Sequence, residues 1–185
     1  MNEILLGDLN LSFWATVFMA CLLGAMSPGP SLAVVVNHTL ARGLTAGSCA
    51  AISHGFAIAV YAAITTFGLS AVISNNQQIF DAIQVIGCAF LLVLAFKLLF
   101  SSSRDEEVEL PLATISSNML AIRDGLAIAF FNPKILLFFT ALFSQFVSLE
   151  SSIREKISLA LIAGGVDMLW YLFVVAIISR SGSIY

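Results

Sequence analysis

Charge is the scarcest feature of this sequence. Asp, Glu, Lys and Arg make up 10% of its 185 residues, while apolar types make up 59%. Soluble domains carry about 25% charged residues. So few charges cannot cover a surface that faces water, and a mean hydropathy of +1.00 places the chain in a lipid bilayer. The net charge of −3 therefore says little about partners. No basic segment interleaved with aromatics points to nucleic acid. Lys and Arg are absent before Leu11, where only Glu3 and Asp8 carry charge. A secretory leader opens with positive charge, so the first apolar run is expected to stay as a transmembrane helix. Cysteine is sparse too. Cys21, Cys49 and Cys88 lie far apart in apolar surroundings with no C-x-x-C pair. They read as buried, reduced, small hydrophobes rather than metal or redox ligands. No metal site and no cofactor are expected. A phosphate-binding G-x-x-x-x-G-K-[ST] loop is also missing, so ATP is not the direct energy source.

What is present is a series of apolar runs. A spanning helix needs about 20 such residues. Five stretches qualify: Leu9–Ala41, Ala46–Ile73, Ile79–Phe100, Met119–Leu149 and Ile157–Ser179. Between the third and fourth lies the polar segment Ser101–Asn118, whose charge run and Pro111 mark a solvated linker. The expected organisation is a first half over 1–100, a cytoplasmic linker over 101–118 and a second half over 119–185. With five spans, Arg42, Lys97, Arg104, Arg123 and Arg180 fall on one side, and only Arg154 and Lys156 on the other. The excess of positive charge puts the first group in the cytoplasm and the N-terminus outside.

Proline is rare, with four in the chain, and three of them interrupt the first and fourth stretches. The motifs are "SPGP" at Ser27–Pro30 and "NPK" at Asn132–Lys134. As straight helix each of these stretches would measure roughly 46 Å, against a hydrocarbon core of about 30 Å. Proline inside a helix costs roughly 3 kcal/mol, but it is tolerated at the first helical position. Both sites therefore read as helix restarts, with Asn132 as N-cap before Pro133. The layout is two halves of three helices, each beginning with an overlong, broken helix. Three is odd, so the second half would be inverted, and paired broken helices point to a transporter's binding site. The expected fold is all-α and integral to the membrane, with five visible spans of a three-plus-three inverted repeat. The final helix, of about 20 to 25 residues, would follow Tyr185.

A restart exposes free N–H groups and the positive end of a helix dipole, a natural seat for a carboxylate. Gly29 would let a ligand approach the backbone. Lys134, in the turn after Pro133, either snorkels to the headgroups, attracts an anionic substrate group or pairs with an acid. Asp167 is the natural acid, since an intramembrane carboxylate is a functional-site hypothesis by default. It would hold a substrate ammonium, exchange a proton, or form a structural pair with Lys134. His54 could relay protons or simply pack. Asn37 and His38 follow the first restart, and read either as cavity-lining or as an interhelical and an interfacial side chain. Gly43, Gly47, Ala51, Gly55, Ala59 and Ala63 form a small-residue stripe for close helix packing, and Gly164–Gly165 offers a smooth patch beside Asp167.

"SPGPSLAVVVNHTLARGLTAG", "RDGLAIAFFNPKILLFF" and "DMLWY" together resemble the lysine-exporter/threonine-exporter (LysE/RhtB) family over most of the chain apart from the linker. The resemblance implies export of amino acids and related small zwitterions across the bacterial inner membrane, driven by the proton gradient. It marks Pro28, Gly29, Pro30, Asn132, Pro133, Lys134 and Asp167 as substrate and coupling residues; Asn37 and His54 stand as further candidates on their own positions. The partners it implies are an amino acid, protons and the bilayer, with a homo-oligomer left open. The missing final segment departs from the family pattern. Two other readings stay open: a membrane thiol-transfer protein using Cys21 and Cys88, and a truncated membrane protein that does not transport.

Overall fold

In lipid, backbone N–H and C=O groups find partners only in each other, so continuous apolar runs fold as helices. The computed structural model describes residues 11–100 and 118–181. Among those residues it contains six helices and no strand: α1 (Leu11–Met26), α2 (Pro30–Asn75), α3 (Gln77–Phe100), α4 (Asn118–Phe131), α5 (Pro133–Ser144) and α6 (Ile153–Ser181). By length and composition three are able to cross a membrane, over Pro30–Asn75, Gln77–Phe96 and Ile153–Arg180. The bent pair α4–α5 makes a fourth if it is one span, and α1 is a shorter apolar helix. The linker with Arg104 and Pro111, the segment before Leu11 with Glu3 and Asp8, the Lys97 side chain and the end of the chain after 181 lie outside the described residues.

α2 is the centre of the fold and is itself folded. Gly43 has φ 79° and ψ −172°, a conformation that favours glycine. A methyl group added to Gly47 would collide with the Thr39 side chain. Residues eight apart in a continuous helix stand about 12 Å from each other. Contact between them means that the chain turns back at Gly43, making one arm of 30–42 and another of 44–75. This corrects the reading of Gly43 as part of the packing stripe: nothing lies near it, and its role is the turn.

The rest of the stripe does pack. A methyl group on Gly55 would stand 2.8 Å from the Gly164 carbonyl oxygen, and one on Gly164 would stand 2.6 Å from the Gly55 oxygen. Such distances are not tolerated, so α2 and α6 cross backbone to backbone there. Gly125 brings α4 equally close to the Ala50 carbonyl of α2. Gly165 touches nothing, so only the first glycine of the pair forms the smooth patch. Around this crossing α1 packs on α6, and α3 on α5. Large apolar side chains such as Phe56, Ile86, Phe96 and Phe173 face outward, as a lipid-facing surface requires.

Local signals set the remaining ends. Asn76 caps α3, its side-chain oxygen accepting from the Ile79 N–H at 3.1 Å. α6 starts four residues before the apolar run at Ile157. Ser152 and Glu155 form a reciprocal capping box, with bonds of 2.6 and 3.2 Å.

Candidate functional site

The two helix breaks meet. α1 ends at Met26, and the Ser27 N–H still reaches back to the Leu23 and Gly24 carbonyls. Ser27, Pro28 and Gly29 leave the helix, and α2 restarts at Pro30. Its N-cap is Gly29 in extended backbone (φ 171°), with no side chain to cap the first turn. The second break is one residue long. Asn132 separates α4 from α5, which bend by 56°. Its side-chain oxygen accepts from the Lys134 N–H at 3.0 Å, the expected cap.

Two side chains of the second break cross to the first. The Asn132 amide nitrogen donates to the Ser31 hydroxyl at 3.2 Å. The Lys134 ammonium donates to the Ser27 hydroxyl at 2.7 Å, to the Ser27 carbonyl at 3.1 Å and to the Pro28 carbonyl at 3.0 Å. These carbonyls lie at the negative end of α1, where a cation is favoured. Lys134 thus offsets the C-terminus of one helix while standing in the first turn of another. Gly29 faces it: a methyl group there would come within 3.4 Å of the ammonium.

Asp167 lies midway along α6. Its carboxylate accepts from His54 Nδ1 at 2.6 Å, with 1% of the His54 side chain and 10% of the Asp167 side chain exposed. Asp167 was expected to face Lys134 or a substrate; the partner the fold gives it is His54. An ionised carboxylate only accepts, so with Asp167 ionised Nδ1 is the donor, and a neutral ring then carries its lone pair on Nε2. That atom is buried and has no hydrogen-bond partner. A buried polar atom left unpaired costs about 1–3 kcal/mol. The ring packs edge-on against Tyr171, 5.1 Å between centroids. Tyr171 in turn bonds the side chain of Ser31.

These groups line one cleft. Ser27, Gly29, Ser31, Asn132, Lys134, His54, Asp167 and Tyr171 supply its polar lining. Ile58, Ile135, Phe138 and Phe139 form an apolar wall, with Cys21 and Gly24 beside it. The space between atoms is about 480 Å³ including the open mouth, of which about 40 Å³ admits the centre of a water molecule. That is room for about three waters, so a larger guest requires the cleft to widen.

Of the residues singled out from sequence, Gly29, Asn132, Lys134, Asp167 and His54 line this cleft. Pro28 contributes its carbonyl, and Pro30 and Pro133 start the two helices. Asn37 is exposed and not among the lining residues. His38, read as cavity-lining or interfacial, is buried and paired with Asp124 of α4 at 3.1 Å, and Arg123 bonds the same carboxylate. Sequence reasoning missed Ser31, Tyr171 and the His54–Asp167 pairing. The signal for that pairing was present, since His54 adjoins Gly55 and Asp167 stands three residues after Gly164. The three cysteines are free, Cys21 buried and Cys88 exposed. No cluster of three metal-binding side chains exists among the described residues.

The model of the LysE type translocator family matches residues 22–183. The chain is 28% identical to the membrane protein YrhP of Bacillus subtilis (strain 168), over 82% of this chain and 76% of that one. It is 30% identical to the membrane protein YahN of Escherichia coli (strain K12), over 68% of this chain and 56% of that one. It is 23% identical to the leucine efflux protein of Salmonella typhimurium, over 76% of this chain and 66% of that one. No solved structure matches. The thiol-transfer reading gives way here, because this is a family of transporters, not enzymes. Apolar helices, paired breaks and a family match over most of the sequence agree: the chain belongs to the LysE type translocators, multi-pass membrane proteins.

Proposed function

We propose that this protein is a secondary transporter that exports amino acids or related small zwitterions across the inner membrane in exchange for protons. The observation that carries this reading is the cleft itself. A buried acid–imidazole pair opens onto the same space as two helix breaks and a lysine. A zwitterion offers a carboxylate and an ammonium. The first turn of α2, uncapped at Gly29, and the Lys134 ammonium suit the carboxylate. The Asp167 side supplies the negative charge that suits the ammonium. The apolar wall suits an uncharged side chain, and leucine efflux proteins among the relatives make leucine the first substrate to try.

In this reading α1 with the first arm of α2, and α4 with α5, each cross the membrane once, giving five spans in two inverted half-units. The N-terminus lies in the periplasm, and the breaks lie near the midplane.

The test is efflux of labelled leucine from vesicles under an imposed pH gradient, with protein level checked by immunoblot. Asp167→Asn keeps shape and hydrogen bonding but cannot carry charge. It should insert normally and lose the part of efflux driven by the gradient. Transport at the native rate with native pH dependence would make Asp167 structural and end the coupling mechanism.

A further inference from the structure

We infer that the atom exchanging substrate for proton is His54 Nε2, with Asp167 acting behind it as a positioning residue. The inference rests on the exporter reading above and deepens it. The Asp167 oxygen nearest the ring is already engaged by Nδ1 at 2.6 Å. With Asp167 ionised and the ring neutral, the same bond selects the tautomer with its lone pair on Nε2. That nitrogen is buried without a partner, on a side chain that lines the cleft. Native proteins seldom leave such an atom unsatisfied, and where they do, a ligand or water is the usual complement. An ammonium group suits this atom, since it donates to a lone pair and is drawn by the negative charge held behind the ring.

The titratable groups that line the cleft besides His54 on α2 are Cys21 on α1, Lys134 on α5, and Asp167 and Tyr171 on α6. Only Asp167 is within hydrogen-bonding distance of the ring, and the Lys134 ammonium is turned to the Ser27 and Pro28 carbonyls.

One lone pair cannot serve two cations. With Nε2 neutral, a substrate N–H⁺ donates to it. With Nε2 protonated, the imidazolium repels the ammonium, and the Asp167 carboxylate offsets the imidazolium's positive charge instead of the substrate's. The exchange balances: a proton arriving from the periplasm bonds to Nε2 as the substrate leaves, and returns to the cytoplasm before the next substrate binds. No covalent bond to substrate forms.

Two substitutions separate the ring's two nitrogens. His54→Asn places an amide N–H near the Nδ1 position and removes Nε2. His54→Gln extends an amide toward the Nε2 position, where it cannot gain a proton. The expected result for His54→Asn is a roughly ten- to hundredfold loss of leucine affinity, with protein still inserted. For His54→Gln it is residual transport without pH dependence. In the native protein leucine affinity should fall by up to about tenfold per pH unit on the acid side, the signature of one competing proton.

A measurement on the native chain needs no variant. The sequence holds two histidines, so ¹⁵N-histidine labelling gives two rings, assigned with His38→Gln. Leucine added at fixed acidic pH should move the His54 Nε2 signal toward the neutral, hydrogen-bonded form and leave His38 unmoved. Leucine transport with a silent His54 signal, or His54→Asn retaining native affinity and pH dependence, overturns this inference and leaves the exporter reading intact. Failure of the native protein to move any of the twenty common amino acids overturns both.

Discussion

The two helix breaks start from similar sequence and are finished differently. Both place proline at the first helical position. At the second, Asn132 caps α5 with its side-chain oxygen and reaches Ser31 with its nitrogen, and Lys134 bonds three oxygens of the first break. At the first, Gly29 provides no side chain and leaves the opening turn of α2 uncapped. The second break has thus met its own hydrogen-bonding needs and part of its neighbour's. The first break has no side chain capping α2, and Gly29 and Ser31 line the cleft. On the proposed reading, this is how a structural joint differs from a ligand seat: the joint is satisfied by protein, and the seat is completed by substrate.

Substitution at the second break should therefore cost stability first. Lys134→Met keeps much of the apolar stem and removes the charge. It leaves the Ser27 and Pro28 carbonyls and the C-terminal end of α1 without their cation. The expected loss is about 3 kcal/mol, the upper range for hydrogen bonds to a charged group, read as a lower unfolding temperature of the purified protein in detergent. On the proposed reading efflux should fall with it, since a substrate carboxylate would also lose its cation. An unchanged unfolding temperature would mean that Lys134 is held for substrate alone.

Asn132→Ala should cost less, about 1–2 kcal/mol, from a lost N-cap and a lost bond to Ser31. Asn132→Asp keeps the acceptor for the Lys134 N–H and drops the donor to Ser31, so its cost should lie between native and Ala. The comparison sharpens if the rate of efflux per folded molecule survives Asn132→Ala. It breaks if affinity for leucine collapses while the unfolding temperature holds.

The sequence made the breaks legible because proline and glycine act locally. A missing N–H and a missing side chain have the same meaning wherever they stand, so Pro30, Asn132 and Pro133 could be placed without knowing the neighbours. The stripe of small residues was legible for a related reason: Gly47, Gly55 and Ala59 recur on one face of one helix. Gly43 was misassigned because it shares that spacing while serving as the turn; its positive φ and the close approach of Thr39 to Gly47 separate the two roles. The pairings were less accessible. His54 and Asp167 are 113 residues apart, and helical periodicity gives each helix's faces but not the depth at which two helices cross. The Gly55–Gly164 contact sets that depth. His38 and Asp124 are hidden in the same way, on arms whose relation depends on the turn at Gly43.

Gly29→Ala has the smallest expected effect on stability and the most to say about the comparison. The backbone at Gly29 is extended, with φ 171°, so any residue adopts it without strain. The added methyl group meets the Lys134 ammonium at 3.4 Å and its Cδ carbon at 3.8 Å, ordinary contacts that displace no backbone. Alanine also narrows the unfolded ensemble, a stabilising contribution of about 0.4–1 kcal/mol where the native conformation is compatible. Stability should thus stay within about 0.5 kcal/mol of native or rise slightly. Transport should respond quite differently. The methyl group occupies the space between the uncapped turn of α2 and Lys134, where the carboxylate of a zwitterion would sit. Losing a charge-assisted hydrogen bond there corresponds to a roughly ten- to hundredfold weaker affinity. The change should fall on the leucine concentration for half-maximal efflux more than on the maximal rate. A protein as stable as native that needs far more leucine would place the ligand at the first break. One that exports leucine with native affinity would show that the uncapped turn is not the seat, and the distinction between the breaks would be architectural only.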